Sequence, residues 1–412
     1  MSRLLSAPRR LVDGLLRDRT RLPRFVNRTI DHIADHPDGL LGRLAARSLG
    51  GFDASDIPPP TAAPATAARV YIGPTNYAAQ GRLWAAALDA SDADVGARNM
   101  AVDVPGGFDF PADTIVPVPV YTRSREWQEA ELEAVGRFSH VLVEAERALF
   151  GRLFSRDVER ETAELERRGL SVAFLCHGTD IRLPSRHVGL TPWSPYADAD
   201  SYNTKFERDA SRNRALLDRL DRPTFVSTPD LLLDVPYAQW CPVVVDGAVW
   251  QVDAEPENAR PLVVHVPSKS AVKGTALIER PVRGLEAEGL LDYRTVSGVA
   301  ARQMPELYRS ADIVLDQFRL GSYGVAAVEA MAAGRVVVGH VLESVRRSVS
   351  EATGFAVPIV EATPDTVGDV LRELAADPER RARLGREGVA FAEAVHDGRR
   401  SARVLLDGWI ES

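Results

Sequence analysis

From Arg69 onward, short apolar runs of strand length alternate with longer segments of helical period. Val70–Ile72, Thr114–Val118, His140–Val143, Ser171–Cys176 and Thr224–Ser227 read as strands. Gln80–Leu88 and Glu126–Val135 read as helices, and a long charged helix is expected between His140–Val143 and about Arg168. A passage with Pro and Asp around Cys241–Asn258 interrupts the alternation, which then restarts. Strands are expected at Leu262–Val266, Asp292–Val296, Ile313–Leu315 and Val336–Val341. Helices are expected at Lys273–Leu285, Met304–Arg309 and Tyr323–Ala333, and from Thr363 to the end. Such alternation implies a mostly parallel sheet covered on both faces. Two units in succession, meeting near residue 255, make this an α/β chain of two doubly wound domains.

Length agrees, since 412 residues exceed what one ordinary core serves. No run approaches the roughly 20 apolar residues that span a bilayer, and no secretory leader is evident at the start. Two cysteines, Cys176 and Cys241, do not make a disulfide framework, so a cytoplasmic setting is the expectation. The net charge of −8 is uneven: residues 1–50 hold ten Arg against five Asp, and the remainder is acidic. An acidic body argues against a nucleic-acid partner. In the basic segment Leu11, Val12, Leu15 and Leu16 recur at helical spacing, Arg10, Arg17, Arg21, Arg24 and Arg28 fall near one face, and Pro23 divides the stretch. Residues 1–52 are therefore a basic helical extension, joined through a Pro/Ala-rich linker at 53–68. The extension has two readings: peripheral contact with an anionic membrane on the inner face, or packing on its own domain or a second subunit.

Four segments carry candidate chemistry. In Gly321-Ser322-Tyr323-Gly324-Val325 through Gly334, a strand ends in a Gly-rich turn and a helix opens, which presents backbone N–H groups to an anion. Glu329 shares a face with Val325, Val328 and Ala332 and needs a partner there: a ligand's ribose diol, a buried Arg or a backbone group. Ser268, Lys269 and Lys273 lie between a strand and the next helix, as a phosphate-handling loop would. His177, Asp180 and Arg182 follow a buried strand at its carboxyl end, where open α/β sheets bind ligands. Gly73, Asn76 and Gly81 form the first strand–turn–helix, which is not a dinucleotide fingerprint. Asp92-Ala-Asp94 and Asp198-Ala-Asp200 match a metal-binding DxD pattern, but neither follows an apolar strand, so no metal is expected.

The Gly321–Gly334 segment resembles the C-terminal signature of glycosyltransferase family 4, of GT-B architecture, in which two glutamates eight positions apart flank the Gly-rich turn. The second falls on Glu329 and the first on Gly321, a departure that puts the donor-sugar contact in doubt; Asp316-Gln317 is a candidate substitute. The Lys273-Gly274 pair resembles the family's diphosphate site, with Ser268 where an Arg is usual.

The resemblance implies a deep interdomain cleft, with residues 69–255 on the acceptor side and 256–392 on the nucleotide-sugar side. Residues 393–412 would cross back to the first domain. It implies a retaining, metal-independent transfer without cofactor, from a nucleotide-sugar donor to a sugar, lipid-linked or small-molecule acceptor. His177 and Lys273 would be catalytic. Glu329, the 321–325 turn, Ser268, Lys269 and Val299 would hold the donor, and Gly73, Asn76, Gly81, Asp180 and Arg182 would face the acceptor. Two other readings stand beside it: a non-catalytic GT-B binding or scaffold protein that lost the first glutamate, and a nucleotide-sugar epimerase.

Overall fold

The computed structural model describes residues 51–103, 110–198, 201–250, 258–267 and 270–412. Residues 1–50 of the basic extension, Ser268 and Lys269 lie outside the described residues. The strands form two wholly parallel sheets. The first runs β3-β2-β1-β4-β5-β6-β7, with β1 Ala68–Gly73, β2 Val95–Asp103, β3 Thr114–Pro117, β4 His140–Glu144, β5 Ser171–Cys176, β6 Thr224–Val226 and β7 Gln239–Trp240. The second runs β12-β11-β10-β8-β9, with β8 Leu262–His265, β9 Asp292–Thr295, β10 Ile313–Leu315, β11 Val336–Gly339 and β12 Ile359–Glu361. In each sheet the first strand has its next strand on one side and a later one on the other. A crevice therefore opens between β1 and β4 and between β8 and β10, where the strand order reverses.

Three expectations about elements need correction. The segment after β4 does not enter a long helix. Ala145, Glu146, Gly151, Ser155 and Arg156 have positive φ, and the helix is confined to Val158–Arg167. Tight packing dictates this, because a Cβ on Gly151 would lie 1.9 Å from the Tyr121 carbonyl oxygen. The helix expected from Lys273 breaks at Gly274, whose φ of 84° separates Ser270–Lys273 from Thr275–Ala287. The helix expected from Tyr323 begins at Val325. Two elements have no obvious sequence signature. β2 carries Arg98 and the wholly buried Asn99, which breaks its apolar run. The Ser201–Leu220 helix is mostly polar over its first fifteen residues, and among the described residues only Ala210 and Leu217 of its apolar side chains are buried.

The chain ends against the first sheet. The Arg399–Leu405 helix and the turn that follows bury Ala402, Leu405 and Trp409 in one cluster with Val70, Trp84 and Leu88. The Trp409 indole donates to Ser171 Oγ at 2.8 Å. His396, pushed down to about 4 by burial, donates from Nδ1 to the Val243 carbonyl at 2.7 Å. Among the described residues, no helix is long and apolar enough to cross a membrane.

Candidate functional site

At the β8/β10 crevice, Lys273 Nζ pairs with the Asp316 carboxylate just beyond β10. Its charge also reaches Glu329, one turn into the Val325–Ala332 helix. Glu329 accepts no hydrogen bond and joins no ion pair among the described residues. Burial pushes its carboxyl up to about 8, against the pull of Lys273. The start of the same helix is uncapped by any side chain, and the amides of Gly324, Val325 and Ala326 reach no described acceptor. Space is open where a Cβ on Gly324 would stand. A helix start with free N–H groups, a cation and an unpartnered carboxyl can hold a diphosphate and an adjoining diol together. Val299 is half-buried in the loop after β9.

Other residues expected at the donor are committed elsewhere. Gly321 leaves no room for the carboxylate that the resemblance asks for. Its φ is 65°, and a Cβ would come 2.5 Å from Leu342 Cγ. Tyr323 faces the core, its hydroxyl 3.4 Å from His396 Nε2. Its part in any ligand contact is therefore limited to the backbone. Ser322 is buried and donates to Asp230 Oδ1 at 2.6 Å. Asp316 is occupied by Lys273, and Gln317 donates to the Ser322 carbonyl.

Asp230 leads across to the first sheet. Arg182, expected to face an acceptor, is instead buried and paired with Asp230 at 2.5 Å. Burial alone would raise the Asp230 carboxyl, but Arg182 and the Ser322 hydroxyl outweigh it and hold it below its ordinary value. Beside this pair, Arg319 donates to the carbonyls of Trp193 (2.7 Å) and Ser194 (2.9 Å), and His187 Nε2 lies 3.1 Å from the Leu320 carbonyl. The 319–322 segment is thus held by groups between His187 and Asp230, a seam that sequence patterning did not reveal.

At the β1/β4 crevice, the organising residue is one the sequence reading missed. Glu144 ends β4 and is wholly buried. It accepts from the amides of Thr75 and Asn76 (3.1 Å each) and lies 3.1 Å from His177 Nε2. The His177 ring also stands edge-on to Tyr77 at 5.1 Å and near Trp84 at 5.6 Å, a well-fixed position at a strand end. Asp180 folds back to accept from the His177 and Gly178 amides, so its carboxylate organises this loop. Asn76 likewise spends its side chain on Arg82 N and the Pro111 carbonyl. Gly81 is needed because a Cβ would meet Asn99 Nδ2 at 2.5 Å, and Gly73 because one would meet the Met100 carbonyl at 3.0 Å. Of the expected acceptor-side residues, these four shape the crevice without presenting free polar groups to it.

Glu146, Cys176 and Asp180 bring possible ligand atoms within 4.8 Å of one another. The Cys176 thiol donates to Glu146 at 3.2 Å. Burial pushes the thiol and the Glu146 carboxyl well up.

Residues 285–390, which hold the Glu329 helix, match the family of glycosyl transferases group 1. The chain carries a glycosyltransferase group 1 domain. It is similar to D-inositol 3-phosphate glycosyltransferases of Kineococcus radiotolerans (30% identity over 143 residues, 32% of each chain) and Segniliparus rotundus (29% over 155 residues, 35% of this chain and 33% of that one). The match spans about a third of the length of these relatives. Solved structures share the two-sheet arrangement. Anabaena Alr3699/HepE in complex with UDP-glucose has a TM-score of 0.51 at 11% identity, covering 82% of this chain and 98% of that one. An α-glucosyltransferase in complex with UDP and a 13-mer DNA containing an HMU base has 0.52 at 9%, with the same coverage. At such identity the likeness shows the fold, which is of GT-B type.

Proposed function

We propose that this protein transfers a sugar from a nucleotide-activated donor to a sugar, lipid-linked or small-molecule acceptor. The observation that carries the reading is Glu329, an unpartnered carboxyl one turn inside an uncapped helix start and within reach of Lys273. A ribose diol supplies the two O–H donors that Glu329 lacks. The diphosphate meets the amides at Gly324–Ala326 and the Lys273 ammonium, which it shares with or takes from Asp316. Positive charge fixed there stabilises the departing nucleoside diphosphate as the glycosidic bond breaks, so no divalent metal is required. His177 orients the donor sugar from the opposite crevice, with Glu144 holding its ring. The family resemblance makes the transfer retaining.

One observation favours a second reading. Leu342 fills the place of the family's first glutamate, which suits a protein that binds nucleotide sugars without transferring them. The test starts with a thermal-shift panel of UDP, GDP and ADP with their hexose derivatives. Release of free diphosphate from the donor that binds is then followed with and without EDTA, offering D-inositol 3-phosphate among the acceptors. Stabilisation with turnover supports the transferase. Stabilisation without donor cleavage supports the binding protein, and no stabilisation by any nucleotide refutes both. Turnover abolished by EDTA and restored by Mn²⁺ would overturn metal independence.

A further inference from the structure

The donor reading leaves open which group meets the sugar, because Gly321 cannot. His340 follows β11 at its carboxyl end. Its amide donates to the Gln317 carbonyl at 2.8 Å, and Leu342 N donates to the Gly321 carbonyl at 2.9 Å, which lays 340–342 along the turn that leads to the Glu329 helix. The imidazole Nδ1 is 2.7 Å from Glu361 Oε1. Glu361 also accepts from the Val341 amide (2.9 Å) and from Arg346 (3.0 Å). Burial works to raise the Glu361 carboxyl, but these three hydrogen bonds prevail and hold it below its ordinary value. A carboxylate can only accept, so Nδ1 carries the proton, and in the neutral ring Nε2 is a bare lone pair. That nitrogen is buried and has no partner among the described residues. On the other side of the seam, Trp193 stands edge-on to the ring at 5.3 Å.

We infer that His340 Nε2 accepts a hydroxyl of the donor's sugar and takes over the recognition that Gly321 cannot supply. The inference rests on the nucleotide-sugar reading. An ionised phosphate offers only acceptors and would leave two lone pairs facing each other. A neutral hydroxylated ring brings the donor that Nε2 needs, and its C–H faces suit the indole of Trp193.

Calorimetry on the whole chain tests this with two matched pairs, UDP against UDP-glucose and GDP against GDP-mannose. The parent is expected to bind one sugar nucleotide more tightly than its diphosphate. His340→Asn keeps an N–H for Glu361 but removes the second nitrogen. It should erase that gain, about tenfold for one hydrogen bond, while diphosphate affinity stays within about twofold. His340→Gln, whose amide reaches nearer the Nε2 position, should recover part of it. Undiminished preference for the sugar nucleotide in His340→Asn overturns the inference, as does equal loss of diphosphate affinity in both variants. A parent that binds neither pair overturns the functional reading itself, and this inference with it.

Discussion

Replacing Glu329 by Gln removes one titration and almost nothing else. Its carboxyl stands at about 8 in place of 4.5 because burial penalises the charged form. The folded chain therefore retains a proton that the unfolded chain releases. The stability is fully present below the unfolded value and is lost as the pH rises toward the folded one. At about 1.36 kcal/mol per pH unit, the penalty is about 3 kcal/mol near pH 7 and about 5 kcal/mol above pH 8. The side chain is partly open to solvent, so roughly half of that is the working expectation. Urea unfolding should show Glu329→Gln gaining on the parent by about 2 kcal/mol between about pH 5 and pH 9. Glu161, also pushed to about 8, titrates in both proteins and cancels in the difference. Ligand binding should follow the opposite slope. The diol binds the ionised carboxylate, and ionising it near pH 7 costs about 1.4 kcal/mol. Nucleoside diphosphate affinity, taken as parent over variant, should therefore climb about tenfold from about pH 7 to above pH 8. A variant that tracks the parent in stability at every pH, with unchanged nucleotide affinity, refutes the assignment of Glu329.

Gly321→Ala should cost about 1–3 kcal/mol by thermal melting, since it adds a Cβ at positive φ against Leu342. A neutral result would mean the turn can move and admit a side chain. Arg182→Ala strands the Asp230 carboxylate in the seam and should cost about 3–5 kcal/mol. Lost acceptor affinity at unchanged stability would restore the acceptor-facing role. Glu144→Gln should weaken turnover by way of His177 with only a small change in diphosphate binding; intact turnover removes His177 from the reaction. Liposome co-sedimentation of the full chain and of residues 69–412 tests the basic extension, and equal binding to anionic vesicles by both removes the membrane reading.

What the sequence determined by itself was architecture. Short continuous apolar runs and helical segments alternate along the chain, and a parallel doubly wound sheet is the arrangement that buries both. Ser171–Cys176 and Ile313–Leu315 were legible to the residue because Val172–Cys176 and Ile313–Leu315 are unbroken apolar runs. The Gly-rich turn and the place of Glu329 one turn inside the helix were legible because both depend on residues close together in the chain. Tertiary structure decided how the remaining polar groups are used. Arg182, Asp230 and Ser322 lie far apart in sequence, and only the docking of the two sheets turns them into a buried network. Glu144 reads as the last residue of an ordinary strand until the turn at Thr75–Asn76 folds over it. Helical and strand periods are local and leave a trace in the sequence. Pairing between distant polar side chains depends on a low-dielectric interior that exists only after the chain has folded, so no local pattern records it.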